Sequence, residues 1–172
     1  MATPIKTRVV NWMGGGLIGV ATTLAVNHIS EFEGYSSKVY VDPVGIQTYC
    51  YGETSKPNPN KTYSRDYCDF LLSKRASEYI RKVRSMVPMS IYISPYELAA
   101  WASFAYNVGI SNFQSSTALR LLKQARRRAA CNQLPRWKYG NGKVLQGLVK
   151  RRAVEQELCL KGASENGHDF EV

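Results

Sequence analysis

From Val9 to Ser30 the chain carries no Asp, Glu, Lys or Arg. As a helix, a stretch of that length can cross a bilayer, which takes roughly 20 residues. Lys6 and Arg8 precede it and no acid does, so the N-terminus is expected in the cytoplasm with the rest of the chain outside. The segment is only weakly hydrophobic, because Gly14, Gly15, Gly16, Gly19, Thr22, Thr23, Asn27 and His28 dilute it. Four readings are open: a cleaved signal peptide, a permanent anchor, a buried core helix, or an uncleaved segment that inserts and later escapes. Ala21 and Ala25 make no clean cleavage motif. Three adjacent glycines suit a permanent anchor poorly, and core helices seldom run so long without a charge. The pattern favours the fourth reading.

Beyond it, Ile29 to Gly34 reads as a helix end with Gly34 as the stop. Val39 to Val41 and Thr48 to Tyr51 are β-prone runs separated by Asp42-Pro43 and Gly45, which predicts a hairpin. Pro57 and Pro59 mark a loop over 56–61, and a helix is predicted from Ser64 to Met86, stopped by Pro88. The sharpest local signal is Ser94-Pro95-Tyr96-Glu97: a cap, a proline suited to the first helical position, and a glutamate that completes a capping box. Leu98, Trp101, Ala102, Ala105 and Val108 then recur at helical spacing, predicting a central buried helix that ends at Gly109. Further helices are expected over Ser116–Arg127, Ala129–Leu134 and Val144–Leu160, then a polar, disordered tail from Ala163 to Val172. The expected fold class is α+β, mostly α: a helical lobe and a small β-hairpin lobe, with a cleft between them suited to a polymer. The chain divides into a membrane segment (1–30), a folded domain (31–162) and a tail (163–172).

Composition narrows the partners. At 172 residues and 44% apolar, the chain suits one domain plus an appendage. A net charge of +10 favours nucleic acid, a membrane surface or an acidic wall. No zinc-finger spacing, phosphate loop or dinucleotide glycine pattern accompanies the charge, which disfavours nucleic acid. Two basic runs, Lys123 with Arg126, Arg127 and Arg128, and Lys150 with Arg151 and Arg152, read first as solvated helix faces. Cys50, Cys68, Cys131 and Cys159 form no Cys-x-x-Cys pair and have no neighbouring His, which argues against a metal site. In an exported protein they suggest two disulfides, with three connectivities open.

Acids are scarce, 13 against 23 Lys and Arg, so their positions carry information. Glu33 stands at a predicted helix C-terminus, where the helix dipole opposes a further negative charge. A carboxyl placed there suits a proton donor. Asp42, nine residues on in the hairpin turn, suits an ionised partner, and Thr48 on the returning strand offers a hydroxyl to hold a water. One protonated and one ionised carboxyl across a cleft is the apparatus of glycosidic cleavage. The spacing by itself leaves a plainer reading open, in which Glu33 caps a surface helix and Asp42 makes an Asx turn. Trp101 and Phe104 read as core. Tyr106, Asn107 and Trp137 are candidate sugar contacts, although packing and capping account for them as readily. His28 and His168 have no catalytic partner in sequence, and Glu31 lacks a following glycine.

Glu33-Gly34, Tyr40-Val41-Asp42, Gly45 and Thr48 match the signature of the phage-type lysozymes: an acid, eight residues, an acid, five residues and a threonine. Cys50-Tyr51-Gly52, Tyr106-Asn107-Val108-Gly109, Asn112-Phe113, Arg136-Trp137, Gly147-Leu148 and Arg151-Arg152 resemble the endolysins of lambdoid phages in the same order. The resemblance runs from about Val9 to Gly162. It implies a lysozyme-like fold and a muramidase that hydrolyses the β-1,4 bond between N-acetylmuramic acid and N-acetylglucosamine in peptidoglycan, with inversion and with no cofactor or metal. In this resemblance Glu33 is the proton donor, while Asp42 and Thr48 position the attacking water. It further implies the pairs Cys50–Cys68 and Cys131–Cys159. Relatives with a similar glycine-rich N-terminus are signal-anchor-release endolysins, tethered and inactive in the inner membrane, then active in the periplasm when the membrane is depolarised. A monomer is expected. One departure is Glu53, which follows Gly52 where many relatives have His; altered hairpin packing is expected, not lost chemistry. Because Glu33 lies four residues past Ile29, a segment held in the bilayer would keep the acid out of place. The alternatives are a lytic transglycosylase, which needs no paired Asp, and a membrane-tethered wall-binding protein without catalysis.

Overall fold

The computed structural model describes residues 16–42 and 45–165. Val9 to Gly15 of the charge-free segment, and 166–172 of the expected tail, therefore lie outside the described residues. The first helix, α1 (Leu17–Phe32), carries its small residues inward: Gly19, Ala21, Thr22, Ala25, Val26 and Ile29 are buried. Gly and Ala at these positions let a neighbouring helix approach closely. The Thr22 and Thr23 hydroxyls donate back to the Ile18 and Gly19 carbonyls at 2.7 and 3.1 Å, so neither is orphaned by burial. The 16 residues of α1 cover about 24 Å at 1.5 Å per residue, short of a bilayer core of about 30 Å. Among the described residues no helix is long and apolar enough to cross a membrane.

The hairpin forms where expected, with strands β1 (Ser36–Val41) and β2 (Gln47–Cys50) antiparallel and Tyr40 opposite Thr48. A register shift between Ser36 and Tyr40 bends the ribbon. Cys50–Cys68 ties it to α2 (Arg65–Met86), and the Tyr51 hydroxyl donates to Asp69 Oδ1 at 2.8 Å. Helix α2 matches its predicted span: Ser64 accepts from the Tyr67 amide at 3.2 Å, and Val87-Pro88 follows its end.

Helix α3 (Pro95–Val108) is the centre of the molecule, packed against α1, α2 and α7 (Gln146–Ser164). Both hydrogen bonds of the capping box are present, and every residue from Glu97 to Ala105 is buried. Trp101 and Phe104 are core residues, as expected; Phe104 meets Phe113 and Trp137 edge-on at 6.2 and 5.2 Å.

The C-terminal helices depart from expectation. Where helices were expected over Ser116–Arg127 and Ala129–Leu134, two form with other bounds, α5 (Thr117–Leu122) and α6 (Arg127–Cys131), after an unforeseen short α4 (Ile110–Gln114). The break is at Ala125, with φ of 59°. It lets Arg127 turn inward to a two-pronged ion pair with buried Glu97 and a 2.8 Å bond to the Gly162 carbonyl. Leu134–Arg136 is a 3-10 turn, not the end of a helix. Val144 lies in a two-residue strand β4 (Lys143–Val144) paired with β3 (Tyr139–Gly140) around Asn141-Gly142, both at positive φ, an Asn-Gly hairpin turn. Helix α7 therefore starts later and runs on through Ala163, which is buried, into the expected tail. The second disulfide, Cys131–Cys159, joins α6 to α7.

Candidate active site

Glu33 caps the C-terminus of α1, its amide donating to the Ile29 carbonyl at 2.9 Å. Its side chain is 25% exposed. Arg151 Nη1 reaches Glu33 Oε1 at 2.9 Å from the buried face of α7. The arginine is itself gripped: Nε lies 3.1 Å from Glu155 Oε1, and Nη2 is 3.3 Å from the Ser103 carbonyl. Ser103 donates to Glu155 Oε1 at 2.7 Å. Arg152 flanks the same carboxylate, 2.9 Å from Oε2, and donates to Asn107 Oδ1 at 2.9 Å. Burial pushes the Glu155 pKa up against the pull of Arg152 and Arg151, and burial brings Arg152 down to about 10. The result is a closed polar cluster between α3 and α7 whose outermost member touches Glu33. The expectation that Arg151 and Arg152 lie on a solvated face is therefore corrected: both are buried, as is Arg127. A charge that ends beside a carboxylate of another helix loses less by burial than a lone one.

The other carboxylate oxygen, Oε2, accepts no hydrogen bond among the described residues. It faces Gly52, where a Cβ would stand 3.8 Å away. Gly52 has φ of +83°, so this approach of the β2 end to Glu33 depends on a left-handed residue. Tyr106 borders the same carboxylate: burial first and the Glu33 charge second push its pKa up to about 12, and its hydroxyl donates to the Tyr51 carbonyl at 3.1 Å.

Asp42 and Thr48 converge on one turn residue. The Ile46 amide donates to Asp42 Oδ1 at 2.8 Å, while Thr48 Oγ1 donates to the Ile46 carbonyl at 3.1 Å. Gly45, at φ +88°, donates to the Asp42 carbonyl at 3.0 Å and closes the loop. Asp42 thus ties down the hairpin loop through a residue four positions on, where the Asx turn of the plainer reading closes two positions on. Tyr106 and Asn107 spend polar groups inside the fold, on Tyr51 and Arg152 respectively, and half-buried Trp137 packs on Phe104. Sequence reasoning missed Arg151, Glu155, Ser103 and Gly52. An Arg-Arg pair three and four residues before a glutamate on one helix was the readable signal for the first two. Glu53 accepts from the Thr54 and Ser55 amides at 2.9 and 2.8 Å and lies 3.9 Å from Arg75, so it braces the hairpin against α2.

A family model described as phage lysozyme matches residues 30–155. The chain belongs to the phage lysozyme family. It is 37% identical to a SAR-endolysin of Bacteriophage PS34, over 94% of this chain and 98% of that one. The fold of this phage lysozyme resembles the active form of the P1 phage endolysin Lyz, with a TM-score of 0.79 at 21% identity over 95% and 97% of the two chains. It also resembles the muramidase domain of SpmX from Asticaccaulis excentricus, with a TM-score of 0.71 at 28% identity over 79% and 94%. The mostly helical fold with small antiparallel hairpins is that of lysozymes, and the chain is a phage endolysin by family. Both expected disulfide pairs are formed.

Proposed function

We propose that this endolysin cleaves the β-1,4 bond between N-acetylmuramic acid and N-acetylglucosamine by inverting hydrolysis. Glu33 gives its proton to the leaving glycosidic oxygen as the bond to the anomeric carbon breaks. A water held by Asp42 and Thr48 attacks that carbon from the opposite face, and its proton passes to Asp42. The observation that carries this reading is the asymmetric hold on Glu33: Oε1 is fixed by buried Arg151, and Oε2 is unengaged beside Gly52. A fixed carboxyl with one free oxygen can meet a leaving group without reorganising. Tyr106, Asn107 and Trp137 line the sugar path in this reading.

The same proposal assigns residues 1–30 to a membrane segment and places the lysozyme domain from residue 31 to the end of α7, so the expected tail over 163–172 can begin only after Ser164. The segment enters the inner membrane with its N-terminus cytoplasmic, leaves uncleaved, and docks as α1 in the periplasm. Its support is the small-residue face that α1 buries, together with the signal-anchor-release naming of the PS34 relative.

Wall digestion by wild type and Glu33→Gln, with product ends read by mass spectrometry, tests the chemistry. The expected loss is about 10²–10⁴-fold, the range for a general acid. Anhydro ends would mean a lytic transglycosylase, and unchanged wall solubilisation by the variant would remove Glu33 from the mechanism.

A further inference from the structure

A groove of about 460 Å³ lies between α2 and the loop after β2, a volume within the range of small-ligand sites. Its lining includes none of Glu33, Asp42 and Thr48. Tyr49, which does line it, follows Thr48 on β2, where successive side chains project to opposite faces. One wall is a single face of α2, with Tyr67, Leu71, Lys74 and Glu78 at helical spacing. The other is a ladder of rings: Tyr49 on Tyr63 at 4.3 Å, continued to Tyr67 at 5.7 Å. The Lys61 ammonium stands 5.2 Å from the centroids of both Tyr63 and Tyr67, which holds a cation against the rings. Lys56 and Lys74 add two cations with no carboxylate partner among the described residues. Arg75 reaches Glu53 only at 3.9 Å. Glu53 and Glu78 are the acids of the lining.

We propose that this groove binds the anionic peptide stem of peptidoglycan, as a site separate from the one that cuts the glycan. Lys56, Lys61 and Lys74 take the carboxylates of the stem, and the half-exposed Tyr67 ring takes its aliphatic part. The inference rests on the wall substrate proposed above and adds a reason for the enzyme to stay on cross-linked wall between cuts. Charge alone would attract any polyanion; rings and cations fixed side by side select a ligand that is partly apolar and carries carboxylates.

The test is a titration of isotope-labelled full chain, followed by NMR, with the purified disaccharide–tetrapeptide left by complete wall digestion, which no longer holds the scissile bond. Saturable shifts at Lys56, Tyr67, Leu71 and Lys74 are expected, with affinity falling about tenfold in Lys56→Gln/Lys74→Gln, as for lost charge-assisted hydrogen bonds. The disaccharide without peptide and inorganic phosphate should leave those signals unmoved. The proposal is overturned if the disaccharide–tetrapeptide moves none of them, if the double variant binds as well as wild type, or if either control moves them as far. Because no bond is cut, the result is independent of the Glu33 test: active enzyme with a silent groove removes this site and leaves the muramidase reading standing.

Discussion

Arg151 decides where the Glu33 carboxyl sits. Its guanidinium serves three partners at once: Glu33, Glu155 and the Ser103 carbonyl. A lysine keeps the charge but lacks the planar fork that reaches all three. Arg151→Lys should lower wall digestion about 10²-fold, the effect of roughly 1 Å of misplacement. The assay belongs at a temperature where circular dichroism shows the variant folded. Full activity there would detach Arg151 from the site. Glu53 supplies a prediction about acid. Burial works against its ionisation, but hydrogen bonds from Ser55, the Arg75 charge and the Thr54 amide outweigh it and hold the pKa below the ordinary 4.5. A group with a depressed folded pKa stabilises above its unfolded value, and that stability fades as pH falls through the folded value. The melting-temperature advantage of wild type over Glu53→Gln should therefore be largest near neutrality and shrink below about pH 4.5. A pH-independent difference would deny Glu53 that role.

At the scale of elements, α1 is the piece to which the proposed release gives two lives. Its buried face is built of small residues, and Ala25 is fully buried. Ala25→Leu overfills that contact, at a cost of about 1–3 kcal/mol to the docked helix, and makes the segment more apolar. Both effects act in one direction: more protein should remain in the membrane fraction, and the released form should melt lower. Fractionation and thermal unfolding check this; a variant released and melting like wild type would show that close packing at this position is dispensable. Capped helices such as α2 and α3 were legible because Ser64, Ser94 and Glu97 act within their own first turn. The place of the break between α5 and α6 was not, because Arg127 opens the second helix and turns to Glu97, 30 residues away.

Across the whole molecule, the proposed release makes the position of α1 and the completeness of the site one equilibrium, since Glu33 is the residue after its last turn. Replacing Gly14, Gly15 and Gly16 with Leu should favour the membrane side of that balance and delay lysis. Release and lysis on the normal schedule would sink the coupling. The sequence by itself determined what neighbouring residues settle among themselves: the capping box, the hairpin turn with Asp42 and Gly45, the buried character of Trp101 and Phe104, and the charge-free first segment. The spacing of Glu33, Asp42 and Thr48 was readable too, because all three lie on one short stretch of chain. Only the tertiary structure decided that Glu33 meets Arg151, 118 residues on, and that three arginines of the basic runs are buried. Unlike Arg152–Glu155 within α7, the pairs Arg151–Glu33 and Arg127–Glu97 leave no periodic trace in a sequence. They arise when packing removes a charge from water and the nearest opposite charge belongs to another helix.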